Sequence, residues 1–310
     1  MSEGQHRVAI LGVFVADLAF RAGRMPGIGE TIVGSGFKMG PGGKGSNQSV
    51  AAARVGADVT FITRIGEDDF GSVALATWKK EGIQARVIES PDEPTGAAFI
   101  YVDEDTGDNA IIVVSGAAGS MTPADVDDSA DAIRNARVFV TQLEQPADAA
   151  QRGLEIAREA GVITLFNPAP AEPVDDSIYP LCDFITPNEN ETTILTGQPV
   201  GDLDQARRAG DVFLDRGVGT ALITLGESGA LLHSREDSVL IPIFNVGPVV
   251  ETTGAGDAFN GGFAAALARG DTPFAAARFA AAVAGISVTR AGTAPSMPTL
   301  AEVEALLAES

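Results

Sequence analysis

The run Val8-Ala-Ile-Leu-Gly-Val-Phe14 constrains the fold more than any other stretch. It is apolar throughout, without the alternation of a half-exposed strand, so the strand it forms must be covered on both faces, as in a parallel sheet. Parallel strands need crossovers, and the chain supplies them. Helical patterns at 46–55, 71–80, 147–160, 189–195 and 204–216 alternate with apolar strands at 59–63, 138–141, 162–166, 184–186 and 221–224. That alternation predicts βαβ units around one mostly parallel sheet. Short strands at 230–233 and 239–241 follow, and helices at 258–269 and 273–288 close the pattern. With 310 residues, 45% of them hydrophobic, the chain can bury a full core. A single α/β domain over 1–310 is the expected organisation.

Two stretches interrupt the alternation. Residues 20–38 carry Gly and Pro punctuation and then, at 30–38, a pattern of short, exposed, antiparallel strands. Residues 97–102 and 110–114 flank the polar turn 103–109, the signature of a second two-stranded insert. The inserts, about 13–39 and 95–115, lie close enough in chain order to share one small β-sheet lid.

The net charge of −21 argues against nucleic acid, since a surface that tracks phosphates needs a basic excess. It leaves nucleotides open, because a small anion needs only local N–H groups, a metal ion or one lysine. The single cysteine, Cys182, precludes an intrachain disulfide, and with only His6 and His233 no Cys/His zinc site can form. Both facts fit a reducing cytoplasm. The apolar run at 8–16 meets Asp17 too soon to span a bilayer, so a soluble protein is expected.

Chemistry concentrates at Glu251-Thr-Thr-Gly-Ala-Gly-Asp-Ala-Phe-Asn260. A glycine corner followed by a helix leaves the N–H groups of residues 255–257 as orphan donors, and the helix dipole favours an anion there. Gly254 and Gly256 have no side chain to block a phosphate, and Asp257 stands beside it as a candidate base for phosphoryl transfer. The plain alternative is an N-capped turn with Asp257 as the cap. Gly40-Pro-Gly42-Gly43-Lys44-Gly45 matches a dinucleotide fingerprint by letter, but no apolar strand runs into it. It is not a P-loop either, because Gly45 stands where Ser or Thr would hold Mg²⁺. Gly42-Gly43 then reads as a hinge or a close backbone approach, with Lys44 as a cation and Asn47 one turn into the next helix.

Five stretches in register resemble the ribokinase group of PfkB carbohydrate kinases: 42–48 (Gly-Gly-Lys-Gly-Ser-Asn-Gln), 167–171 (Asn-Pro-Ala-Pro-Ala), 186–191 (Thr-Pro-Asn-Glu-Asn-Glu), 224–229 (Thr-Leu-Gly-Glu-Ser-Gly) and 252–260. The likeness covers about residues 8–298. It implies a Rossmann-like α/β domain with a β-sheet lid, ATP as phosphoryl donor, Mg²⁺, an activating monovalent cation such as K⁺, and a homodimer formed through the lid. It further implies Asp257 as the base, with the amides of Gly254, Ala255 and Gly256 as the anion hole. Asp17, Gly43, Lys44, Asn47 and Glu144, with Asp257, fall where the family holds its sugar. Asn188 and Glu191 fall near phosphate and Mg²⁺. Thr224, Gly226 and Gly229, with Gly256, fall on the nucleotide site; Glu251, Thr253, Ser287, Arg290, Gly292 and Ser296 fall on the monovalent-cation loop.

Taken singly, Asp17 could be a cap, Glu144 an exposed carboxylate and Lys44 a surface lysine. Three departures from the family pattern matter. Val15 stands where asparagine is common, Ala118 replaces asparagine in Gly116-Ala117-Ala118, and Glu251 replaces aspartate. The resemblance implies an ATP-dependent sugar kinase acting on a primary hydroxyl, with D-ribose the expected sugar; the first two departures remove polar partners from a hydroxyl-reading pocket and keep deoxyribose, fructose and 2-keto-3-deoxygluconate as alternatives. A nucleoside would need an aromatic wall, for which the inserts offer Phe20, Phe37, Phe99 and Tyr101. A silent nucleotide or sugar sensor is the alternative of another class.

Overall fold

A computed structural model describes residues 6–309. Thirteen strands are found among them: β1 (Arg7–Leu11), β2 (Val15–Ala22), β3 (Gly36–Gly42), β4 (Asp58–Gly66), β5 (Gln84–Ser90), β6 (Thr95–Asp103), β7 (Asn109–Gly116), β8 (Val138–Thr141), β9 (Ile163–Phe166), β10 (Phe184–Ile185), β11 (Thr220–Thr224), β12 (Ala230–Ser234) and β13 (Ser238–Ile241). They form a nine-stranded sheet of order β13-β12-β11-β10-β9-β8-β1-β4-β5 and a four-stranded sheet of order β3-β2-β6-β7. The large sheet is parallel from β11 to β5, with an antiparallel β12-β13 edge.

The central strand shows why its sequence lacks alternation. Val8 and Ile10 enter the core on one side of the sheet, Ala9 and Leu11 the core on the other, and all four are at most 1% exposed. Helices Lys44–Arg54, Ala255–Arg269 and Pro273–Ser287 contribute to the first core, Ala147–Glu159 and Leu203–Asp215 to the second. From β1 the chain passes through β4 to β5 on one side and later from β8 to β11 on the other. The C-terminal ends of β1 and β8 therefore flank a topological switch point, the usual place for a site in an open α/β sheet.

The apolar run does not stay one strand to residue 14. It ends at Leu11, because Gly12 is pressed between two neighbours: a Cβ there would lie 2.3 Å from Gln142 Oε1 and 2.8 Å from Gly45 Cα. Phe14 turns instead against Trp78, edge to face at 5.7 Å, and β2 begins at Val15 in the other sheet. The small sheet is also mixed rather than wholly antiparallel, since β2 and β6 run parallel. Of the strands expected at 30–38, only the stretch from Gly36 forms one, and it runs on to Gly42. Strand β5 and the terminal helix Leu300–Ala308 were not anticipated. No helix among the described residues is long and apolar enough to cross a membrane. His233, 7% exposed, is held by Ser238 and Asp211 (3.0 Å each), and burial pushes the Cys182 thiol up. Both residues are structural.

Missing side chains bring the Lys44 and Ala255 helices together. A Cβ at Gly45 would sit 2.7 Å from Gly12 Cα, and one at Gly261 would sit 2.5 Å from the Gln48 carbonyl oxygen and 2.6 Å from Ala51 Cβ. These are backbone and first-carbon atoms that no rotamer change can move. Gly261→Ala is therefore expected to lower stability by about 1–3 kcal/mol, the usual range for overpacking, read as a lower midpoint in urea. An unchanged midpoint would show that the two helices have room to spare.

Candidate active site

The Lys44–Arg54 helix begins with a buried polar run, Ser46, Asn47, Gln48 and Ser49, all at most 3% exposed. Buried polar groups must find partners, and two of these find Asp257, in the first turn of the facing helix. Asn47 Nδ2 donates to Asp257 Oδ2 (3.0 Å) and Gln48 Nε2 to Asp257 Oδ1 (3.1 Å). The carboxylate is 6% exposed. Burial raises its pKa, opposed by the Lys44 charge and the two amides.

Gly254, at φ 83, forms the left-handed corner that starts this helix, and no side chain caps it. Of the three donors expected to be free, one is taken: Ala255 N–H turns back to the Thr252 carbonyl (3.1 Å). Among the described residues no backbone carbonyl takes the N–H of Gly256 or Asp257, nor that of Gly254 before the corner, and a Cβ at Gly256 would meet nothing within 4 Å. Donors facing open space at a helix start make an anion site, so here the donors are those of 256 and 257.

Three carboxylates act on Lys44, and Asp17 stands beside two of them. Glu144 Oε2 accepts the Lys44 backbone N–H (2.7 Å), and the charges of Asp257, Glu144 and Glu191 all act on its ammonium. Burial pulls the ammonium down, yet these carboxylates outweigh it and hold its pKa above the ordinary value. Glu144 is pushed up to about 7, chiefly by burial, with Lys44 opposing and Asp257 and Asp17 adding. Asp17 is raised to about 6 by burial and by the Asp257 charge, with the Thr293 hydroxyl opposing. Burial also raises Glu191, against the Asn188 N–H and Lys44.

Strand β2 places Asp17, and β3 makes room for it. A Cβ at Gly42 would lie 2.3 Å from Asp17 Oδ1, so this glycine is a close-approach position. Gly43, at φ 86, caps the Lys44 helix and packs on the Val13 backbone. Asp17, Lys38 and Ile100 on the small sheet face Glu251, Thr253 and Thr293 across a cleft of about 450 Å³. Pairing Val15↔Gly96, Asp17↔Ala98 and Ala19↔Ile100 puts Val15 on the same face as Asp17, toward the body of the protein. Val15, 3% exposed, joins Val13, Ala98 and Ala118 in a small apolar cluster. The aromatic residues considered for a nucleoside wall lie on the opposite face by the same register. There Phe20 packs on Phe37 (4.9 Å) and Phe99 (5.6 Å).

Asn188 and Glu191 form a reciprocal capping box at the start of the Glu189–Thr196 helix (2.8 Å each way), and Asn188 bridges Thr224 at the end of β11. Gly226 (φ 52) and Gly229 (φ 98) shape the turn that follows. On the expected cation loop, Glu251 Oε2 accepts Gly292 N–H (2.7 Å). The remaining side chains turn elsewhere: Ser287 to the Ala284 carbonyl, Ser296 to the Thr293 carbonyl and Arg290 to Glu302. Only their backbone carbonyls could face an ion beside Glu251 and Thr253. Among the described residues no group of three or more His, Cys, Asp or Glu side chains is arranged to hold a metal ion.

Residues outside the sequence-derived list complete the site. Gln48, Gln142, Asn167, Thr186 and Asn260 are buried and linked to one another or to Asp257 by hydrogen bonds. Gln48, Asn167, Thr186 and Asn260 lie within the motif stretches, but nothing local in the sequence says which partner each will meet.

The chain matches the pfkB family carbohydrate kinase profile over residues 5–300. It is 40% identical to the ribokinase of Haemophilus influenzae over 296 residues, which covers 95% of this chain and 96% of that one. A deoxyribokinase of Salmonella typhimurium is 37% identical over 295 residues, with 94% and 96% covered. In three dimensions the chain superposes on an Arabidopsis thaliana ribokinase complexed with ribose and ATP with a TM-score of 0.91, at 31% identity, covering 97% of this chain and 98% of that one. A shared register over nearly the whole length, with the same fold, is more than a common motif: the chain belongs to the pfkB family of carbohydrate kinases.

Proposed function

We propose that the protein is an ATP-dependent pentose kinase that transfers the terminal phosphoryl group to a primary hydroxyl, with D-ribose giving ribose 5-phosphate. The reading is carried by one arrangement: a buried carboxylate, pinned at both oxygens, beside two free helix-start donors and Lys44. Asp257 takes the hydroxyl proton as the oxygen attacks in line, and the N–H groups of Gly256 and Asp257 hold the developing charge. Asp17, Glu144, Asn47 and Lys44 hold the sugar. Asn47 Oδ1 is buried without a partner, an acceptor suited to a sugar hydroxyl. ATP supplies the phosphoryl group. The turn Thr224 to Gly229 receives the nucleotide, and Glu191 offers Mg²⁺ the hard oxygen that such an ion prefers. The small sheet closes over the sugar about Gly42-Gly43 and keeps water from the phosphoryl group. Asp257→Asn, similar in size and already surrounded by amides, should keep the fold and lose about 10²–10⁴-fold in kcat with little change in KM. Near-full turnover in that variant would end the assignment of the base.

A second sugar is favoured by the apolar cluster. Val15, two residues from Asp17 on the same face, and Ala118 stand where the family pattern commonly has asparagine and are packed in an apolar cluster, so no amide from these two positions reads a neighbouring hydroxyl, and the pocket has little reason to reject a sugar that lacks it. The relation to deoxyribokinases points the same way. The expectation is kcat/KM for 2-deoxyribose within about 10-fold of that for ribose, and Val15→Asn should shift the ratio toward ribose by about 10-fold or more. Rejection of 2-deoxyribose by the natural chain, unaltered in Val15→Asn, would argue against this second substrate.

Two further features belong to the same reading. Glu251, tied to Gly292, and the carbonyls around it form the seat for a weakly hydrated monovalent cation. The face of the small sheet opposite Asp17 exposes Phe20, Phe37, Met39, Ile112 and Val114, by 42–62%, and pairs with its copy in a homodimer. One set of measurements covers both: activity in K⁺ against a large organic cation, and mass by light scattering at micromolar concentration. Equal rates would remove the cation site, and a monomer mass would remove the dimer.

A further inference from the structure

Three polar residues each stand just after a strand of the large sheet: Gln142 after β8, Asn167 after β9 and Thr186 after β10. A continuous run of hydrogen bonds joins them to the two helices that carry the site. Gln142 Nε2 donates to Gln48 Oε1 (2.6 Å). The Gln48 amide then uses its Nε2 hydrogens on Asp257 Oδ1 (3.1 Å) and Asn167 Oδ1 (3.0 Å). Asn167 Nδ2 donates to the Thr186 carbonyl (2.9 Å), Thr186 Oγ1 to Asn260 Oδ1 (2.6 Å), and Asn260 Nδ2 to the Gly256 carbonyl (2.9 Å). The belt leaves the ends of three strands and returns to the helix turn that bears Asp257. Gln48 and Gln142 are 0% exposed.

We propose that Gln48 is the positioning residue of Asp257, and that this belt of neutral amides fixes the plane of the carboxylate that receives the hydroxyl proton. The inference rests on the reading of Asp257 as the base. Three features of the geometry carry it. Gln48 has all its polar groups engaged, so its amide has one orientation and presents N–H, never C=O, to Asp257. The amide does not titrate, so the proton taken from the sugar stays on Asp257 instead of leaking into the sheet. A run of bonds anchored at strand ends is also stiffer than a contact from one side chain, and a misplacement of a base by even 1 Å is costly.

Four titrating groups from other elements act on or are acted on by Asp257: Lys44 on the helix that carries Gln48, Asp17 on β2, Glu144 beyond β8 and Glu191 on the Glu189–Thr196 helix. Gln48 differs from them in being a neutral donor that favours the ionised carboxylate. Its removal should move the acid limb of kcat to higher pH, an effect that loss of packing alone would not produce.

The test compares Gln48→Leu, Gln48→Glu and Gln142→Met in the full chain with ATP and ribose, with melting curves to confirm folding. Gln48→Leu is expected to lose about 10–100-fold in kcat, with KM for both substrates within about 3-fold, and to shift the acid limb upward by about 0.5 pH unit or more. Gln48→Glu should shift it further and recover activity as pH rises less steeply, since a second carboxylate then faces Asp257. Gln142→Met, which touches the base only through Gln48, should give a smaller shift of the same sign. If Gln48→Leu does not fold, the other two variants decide. Wild-type kcat and an unmoved limb in the folded variants overturn the proposal. Full turnover in Asp257→Asn would instead overturn the base on which it rests.

Discussion

The structure is organised around one buried negative charge. A carboxylate at 6% exposure cannot stay ionised unless charge and hydrogen bonds replace the water it has lost. Here the replacements come from the neighbouring helix: Lys44 supplies the charge, Asn47 and Gln48 the bonds. All three must reach Asp257 at once, which requires the two helices to lie closer than ordinary side chains permit. Gly261 meets that requirement by carrying nothing, and Gly12 and Gly45 do the same between the end of β1 and the start of the Lys44 helix. The packing of small residues and the chemistry of the site are thus one constraint seen from two sides.

The balance of charge around Lys44 is deliberately uneven in its effect. Glu144, Glu191 and Asp257 share one nearby ammonium, Asp17 lies within reach of the Asp257 charge, and all four carboxyl groups have raised pKa values. For each, the sign is that of a group more protonated when folded than when unfolded, so ionising it with rising pH costs stability. A fold does not gain from such a cluster. A site that must bind sugar hydroxyls and meet a cation-borne phosphate does, because crowded acceptors are then matched by donors and positive charge.

The small sheet connects this centre to the outside. Its Asp17 face looks across the cleft at Glu251 and Thr293, while its opposite face carries the stacked Phe20, Phe37 and Phe99. Thr293 also donates to the Pro41 carbonyl (3.0 Å), and Ser115 to the Glu144 carbonyl (3.1 Å), so both insert segments are tied to loops of the site. The small sheet is therefore tied to the loops that carry Thr293 and Glu144.

The sequence by itself determined the α/β class, the βαβ order, most helix positions and the small sheet, because hydrophobic period and glycine punctuation are local properties. Through the shared register of motifs it also points to Asp17, Lys44, Asn47, Glu144 and Asp257 as candidate site residues. Local pattern failed where one apolar run changes sheets at Gly12, since burial on two faces looks the same in either sheet. It failed again at Ala255, whose N–H is claimed by the chain's own turn. Only folding brings Gln48, Gln142, Asn167 and Thr186 into one belt and turns the aromatic residues away from the Asp17 face. Such residues lie 19 to 119 positions apart where they meet, and a single polar side chain gives no local sign of the partner that will satisfy it.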